Sequence, residues 1–258
     1  MTATALVQTA ALGKRAVVRT ARQPANVVFP LIFPMLLFAV NAGGLKAETQ
    51  LPGFPTSSFV AFALAVPFVQ GALLATINAN VEFARDIQTG FLNRLALTPV
   101  RGIVLLLGQL GGLVTIAVVQ AVFYLAVGLA FGVRLQSGVA GAAMLLLLET
   151  CIALAFASLG SWAALRTGST EAVQGLFPVF FVFLFLSSMN IPRNLIEATW
   201  FRDAATANPV SYLLEAVRSV IITGWDVQAL ALGFGIAAAL AVVALVASSW
   251  ALRVRMAR

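Results

Sequence analysis

Histidine is absent from the 258-residue chain. The commonest general base, metal ligand and neutral-pH switch are therefore missing together. A single cysteine, Cys151, can close no internal disulfide and build no thiolate metal cage. It sits in an apolar run and reads as a small core filler. Charged residues make up only 10% of the chain, against 61% hydrophobic. Soluble domains average about 25% charged and about 45–50% apolar. That imbalance excludes a water-soluble globule. It also excludes disorder, since too much apolar surface would stand in water. With a mean hydropathy of +0.99, the chain belongs in a bilayer.

The catalytic motifs of soluble enzymes are missing too. Gly13-Lys14 is followed by Arg15 and lacks the earlier glycine of a phosphate-cradling loop, so no ATP site is visible. There is no Gly-x-Ser-x-Gly elbow. Glu149 is the one acid deep in an apolar run. An intramembrane enzyme would have no paired carboxylates to use. A secondary carrier or channel working without an ATPase, the main alternative function, would be marked by several intramembrane charges and by inverted repeats. Only Glu149 meets the first condition, and no internal repeat is evident.

What is present is a set of long apolar runs. A spanning helix needs about 20 such residues. Six stretches qualify, near 27–45, 59–79, 103–131, 139–165, 174–190 and 229–251. The fifth is short and rich in phenylalanine. Pro30, Pro34, Pro67 and Pro178 fall inside spans, where each removes a backbone donor. The net charge is +7. With both termini inside, 11 of the 16 basic residues face inward, including Lys14, Arg15, Arg19, Arg22, Arg166 and Arg253. That bias predicts a multi-pass protein of the plasma (inner) membrane with both termini cytoplasmic. It also accounts for the basic charge without nucleic acid. Residues 1–26 read as an interfacial helix: Gln8, Arg15, Arg19 and Arg22 share one face, and Leu6, Val7, Val17 and Val18 share another. In the third span, Gly108 and Gly112 have the spacing that permits close helix approach.

Two polar stretches carry the remaining information. Between spans two and three, residues 82–98 form a helical pattern with Phe83, Ile87 and Phe91 on one side. Glu82, Arg85, Asp86 and Asn93 lie on the other, and Pro99 stops the helix. Such a helix can rest on the membrane protein and offer its polar side to a cytosolic partner. Between spans five and six, residues 191–228 are too long for a turn and semi-apolar. Asn208-Pro209 would break them into short helices, and Glu215 and Arg218 are spaced for a helical pair. Glu149 has two readings. It is a polar contact for a cationic or hydroxylated substrate, or a neutral side chain hydrogen-bonded within the bundle.

The run Glu82, Arg85, Asp86, Gly90, Leu92, Arg94, Leu95, Thr98-Pro99 and Arg101 resembles the signature loop of ABC-2 type transporter permeases, the daunorubicin-resistance exporters in particular. Ser187-Ser188, Ile191-Pro192, Trp200, Asn208-Pro209, Tyr212, Glu215 and Arg218 are similar to the family's pattern before the last span. The acidic cluster that usually opens the first motif is thinned to Glu82 and Asp86. The resemblance covers nearly the whole chain, 1–258, as one transmembrane domain. It implies an all-α integral membrane fold of six transmembrane helices with an N-terminal interfacial helix, a coupling helix at 82–98 and short outer helices. It implies no catalytic, cofactor or metal site on this chain. ATP and Mg would sit on a separate ABC ATPase present in two copies. A second permease chain, identical or paralogous, would complete an exporter of an amphipathic drug, natural product or lipid. Glu82, Arg85, Asp86, Gly90, Asn93, Arg94, Pro99 and Arg101 would couple to the ATPase. Asn208, Pro209, Tyr212, Glu215 and Arg218 would form an outer gate or cap.

Overall fold

The computed structural model describes residues 3–90, 94 and 102–256. Among them the regular elements are all helical. α1 spans Ala3–Ala21 and α2 Pro24–Gly44. α3 (Phe59–Ala63) and α4 (Ala65–Gln88) make one broken span. α5 is Gly102–Ala130 and α6 Gly138–Thr167. Two shorter helices follow, α7 (Thr170–Gln174) and α8 (Leu176–Phe185). α9 (Thr199–Ala207) and α10 (Pro209–Arg218) fold back before α11, Val227–Met256.

Among the described residues five helical runs are long and apolar enough to cross a bilayer: Val27–Gly44, Phe59–Gln88, Val104–Ala130, Gly138–Thr167 and Val227–Arg255. The sixth expected span, at 174–190, is the shorter pair α7–α8 and ends at Phe185. The prolines account for the breaks. Pro67 cannot donate to the Ala63 carbonyl, and the second span is broken at Leu64. Pro178 cannot donate to Gln174, and the helix is interrupted at Gly175. Pro34 likewise leaves the Pro30 carbonyl without its backbone donor. The Tyr124 hydroxyl supplies the missing bond at 2.5 Å, and α2 runs on unbroken.

α4 is the axis of the molecule. It is buried almost all round, with α2, α5, α6, α7 and α10 packed against it. Its sequence suits the position: Gln70, Thr76 and Asn80 are wholly buried. Asn80 straps α4 to α6, its Nδ2 donating to the Ala157 carbonyl (3.1 Å) and its Oδ1 accepting from Ser161 (2.8 Å). Glycine permits this, since a Cβ on Gly160 would collide with Asn80. α6 and α11 are tied by Ser248, which donates to the Ser158 carbonyl (2.9 Å), and by Arg255, which donates to the Leu165 carbonyl (2.6 Å). Phe29, Leu36, Val119, Val182, Val243 and Val246 remain exposed. These apolar outer faces suit a lipid surround.

Candidate functional site

The ends of α1, α4, α6 and α11 at one end of the bundle carry Arg15, Arg19, Arg85, Arg166 and Arg255, with Arg22 just beyond α1. At this basic end α1 lies against α5 and α4. It packs closely on the glycines of α5: a Cβ on Gly108 would stand 2.6 Å from the Leu12 Cβ, and one on Gly112 2.6 Å from the Ala16 Cβ. The Gly108/Gly112 pair is thus the seat of α1. Thr20 is buried at this contact, while Leu6 and Val7 point outward.

The same docking aligns the basic face of α1 with the end of α4. Arg19 pairs with Glu82 (2.5 Å) and with Asp86 (2.7 Å). Arg15 pairs with Asp86 (3.3 Å), and Arg85 reaches back to Glu82 (2.7 Å). Glu82 is only 7% exposed, so most of its solvation comes from these two arginines. Arg85 itself is exposed. Of the expected polar face, Glu82 and Asp86 are turned onto α1. Nor do residues 82–88 start a separate helix. They are the last turns of α4, which ends where Thr89 N–H donates to the Arg85 carbonyl (2.9 Å), Gly90 N–H donates to the Ile87 carbonyl (3.1 Å), and Gly90 turns left-handed at φ +71°. Arg94 is exposed, and its N–H donates to the Gly90 carbonyl (3.1 Å). Asn93, Pro99 and Arg101 lie outside the described residues.

The other end is closed by residues 186–226. Asn208 caps α10, its Oδ1 accepting from Val210 N–H (2.9 Å), while its Nδ2 donates to the Phe183 carbonyl (2.5 Å). Pro209 occupies the first turn of α10, where no N–H is needed. The Tyr212 hydroxyl donates to the Thr206 carbonyl (2.8 Å). The spacing-based pair of Glu215 with Arg218 is not made. Glu215 instead takes a two-pronged bond from Arg193 (2.6 and 2.5 Å), whose guanidinium lies 4.3 Å from the centre of the Tyr212 ring. Burial pulls the Arg193 pKa down, but the hydrogen bond and charge of Glu215 outweigh it and leave it raised.

Arg218 is buried and caged by carbonyls: Nε donates to Phe62 (3.1 Å), and the two terminal nitrogens to Ser188 and Met189 (2.5 Å each). Its guanidinium lies 3.5 Å from the centre of the Phe62 ring. Burial lowers its pKa to about 9 against the opposing charge of Glu215, so it stays cationic at neutral pH. One side chain thus joins the start of the second span, the turn after α8 and the end of α10. A cleft of about 350 Å³ opens beside it, lined by Pro55, Phe62, Arg193, Glu215 and Asp226.

Glu149 is 1% exposed, on α6, and neither carboxylate oxygen has a hydrogen-bond partner among the described residues. Sequence reasoning missed Arg193 and the partnership of Arg15 and Arg19 with the acids. The shared basic face of α1 was the signal for the latter. It also missed Gln70 and Gln120, each a lone amide in an apolar run.

Comparison with known proteins follows the same lines. The family model for ABC-2 type transporters matches residues 7–222. In Mycobacterium tuberculosis, two strains (CDC 1551 / Oshkosh and ATCC 25618 / H37Rv) each carry a relative described as "Probable doxorubicin resistance ABC transporter permease protein DrrC". Each is 23% identical over 221 residues, covering 85% of this chain and 78% of the relative. The matched region takes in most of α1 with its seat, the Glu82–Asp86 cluster and the Arg218 cage. The chain belongs to the ABC-2 type transporter family and is a multi-pass membrane subunit of an ABC transporter.

Proposed function

We propose that this chain is the permease of an ATP-driven exporter of amphipathic compounds, a drug, natural product or lipid. A separate ABC ATPase binds and hydrolyses ATP with Mg. Two ATPase copies serve two permease chains in the plasma membrane, with both termini and the basic end in the cytoplasm. The drug-resistance relatives and the apolar faces of the helices favour that substrate class.

The observation that carries the coupling is the clasp of Arg15 and Arg19 on Glu82 and Asp86. The segment after Gly90 receives the ATPase, with Arg85 and Arg94 exposed for contact. Its movement enters the end of α4 directly. Glu82 and Asp86 do not grip the ATPase; they bind α4 to α1, and α1 is seated on α5. One push therefore moves three helices together, and α4 delivers it to the core. A shift between two arrangements of such packed helices would carry the force.

The test is co-purification of the partner ATPase together with ATP-dependent export of an amphipathic dye. Arg19→Glu places like charges against Glu82 and Asp86. Export should fall at least several-fold at wild-type expression, and Arg19→Glu combined with Glu82→Arg should recover part of it. Export that runs without ATP or ATPase would assign the chain to secondary transport instead.

A further inference from the structure

Three polar side chains on three helices are buried near the middle of the bundle with no hydrogen-bond partner among the described residues: Gln70 on α4, Gln120 on α5 and Glu149 on α6. None is more than 2% exposed. Both amide atoms of each glutamine and both carboxylate oxygens are orphaned. Buried polar groups are satisfied in more than nine cases in ten, roughly, so three together call for an explanation.

The helix register brings two of them to one level and the third within a turn of it. α4 and α6 run in the same direction, and Asn80 meets α6 between Ala157 and Ser161. At about 1.5 Å per residue on both helices, stepping back equally far puts Gln70 level with Glu149. α5 runs the other way, and Gly71 meets Tyr124 so closely that a Cβ would stand 2.5 Å from its hydroxyl oxygen. Tyr124 is thus at the same level, within electrostatic reach of Glu149. Gln120 lies one turn along the same face of α5.

No basic side chain answers the carboxyl among the described residues. Level with it are Tyr124 on α5, whose hydroxyl is engaged by Pro30, and Gln70 on α4. α2 and α8 carry no ionisable residue, nor does α11 before Arg253. On α10, Glu215 and Arg218 are held by Arg193 and by the carbonyl cage. An unpaired negative charge at this depth is strongly unfavourable. A bare metal ion would satisfy the oxygens and leave both amide NH2 groups unmet. Water both donates and accepts, and serves every orphaned atom.

We propose that Gln70, Gln120 and Glu149 form an internal hydration site, in which a few water molecules solvate a Glu149 carboxyl that carries an exchangeable proton. The site joins α4, α5 and α6 through water instead of through direct side-chain bonds. This leaves the axis helix a joint that can rearrange.

Infrared spectroscopy of the full chain in lipid nanodiscs tests this. At neutral pH the carbonyl stretch of a protonated carboxylic acid is expected. It should vanish in Glu149→Gln, shift in D2O, and change frequency in Gln70→Leu and in Gln120→Leu. Three results would each overturn the proposal: a wild-type spectrum matching Glu149→Gln, loss of the band when sodium replaces choline, or a band indifferent to both leucine variants. Radiolytic hydroxyl labelling of the wild-type chain needs no variant. Leu145, one turn from Glu149, should be labelled several-fold more than the equally enclosed Leu213, and equal labelling would count against internal water.

Discussion

Tyr124 is the clearest case of one residue repairing the deficit of another. Pro34 denies the Pro30 carbonyl its helical donor, and the Tyr124 hydroxyl fills the place at 2.5 Å. Tyr124→Phe should therefore orphan a buried carbonyl at a cost of about 1–2 kcal/mol. Pro34→Ala restores a backbone N–H at that carbonyl, so Tyr124→Phe should cost measurably less in that background. A double-mutant cycle of thermal unfolding in detergent reads the difference. Arg218 carries a larger share. Arg218→Leu leaves the carbonyls of Phe62, Ser188 and Met189 without their donor, and stability should fall on the order of 3 kcal/mol. Arg218→Lys keeps the charge, but its ammonium cannot reproduce the planar fork that spans three carbonyls. It should recover only part of the loss in the same assay.

Among the elements, α1 depends on the absence of side chains opposite it. Gly112→Leu forces a branched chain into the space of Ala16, and such overpacking costs about 1–3 kcal/mol. The helix is expected to lift. A cysteine at Thr20, buried in the native contact and introduced in a Cys151→Ala background, should become several-fold more reactive to a soluble maleimide. The helices themselves were legible in the sequence as apolar runs, and Pro67 and Pro178 marked two of their breaks. That residues 82–88 of the expected 82–98 helix continue the second span was not; most of its later part, 91–93 and 95–98, lies outside the described residues. Between Gly71 and Gly90 there is neither glycine nor proline, so nothing stops α4 before Gly90. Apolar periodicity grouped Glu82 and Asp86 on one face but held no sign of what lies opposite. Their partners on α1 are 63 to 71 residues away in sequence. Likewise Glu215 and Arg218 had the spacing of a pair, yet each found a stronger partner across the fold: a two-pronged arginine for one, a ring of carbonyls for the other.

On the scale of the whole molecule, the charge bias and the fold make one joint statement about orientation. In a Cys151→Ala background, Ser57→Cys sits in the exposed turn before α3, and Thr89→Cys at the exposed end of α4. The first should react with an impermeant reagent on intact cells, the second only after permeabilisation. The reverse pattern would invert the proposed topology and move the clasp away from any cytoplasmic ATPase. The central place of α4 was harder to read. Its apolar run looks like its neighbours', and only Gln70, Thr76 and Asn80 hinted that its surroundings were protein instead of lipid.

The seat of α1 also sets a schedule. α1 leaves the ribosome ahead of its partners: the acids that clasp it are made more than sixty residues later, and its glycine seat on α5 later still. A nascent α1 has nowhere to dock until α5 has entered the bilayer. Its exposed Leu6 and Val7, facing outward even in the finished protein, give it a hold on the membrane surface meanwhile. α1 is thus made well before the surfaces that fasten it, and its docking reports that the helices behind it have been inserted in the right order.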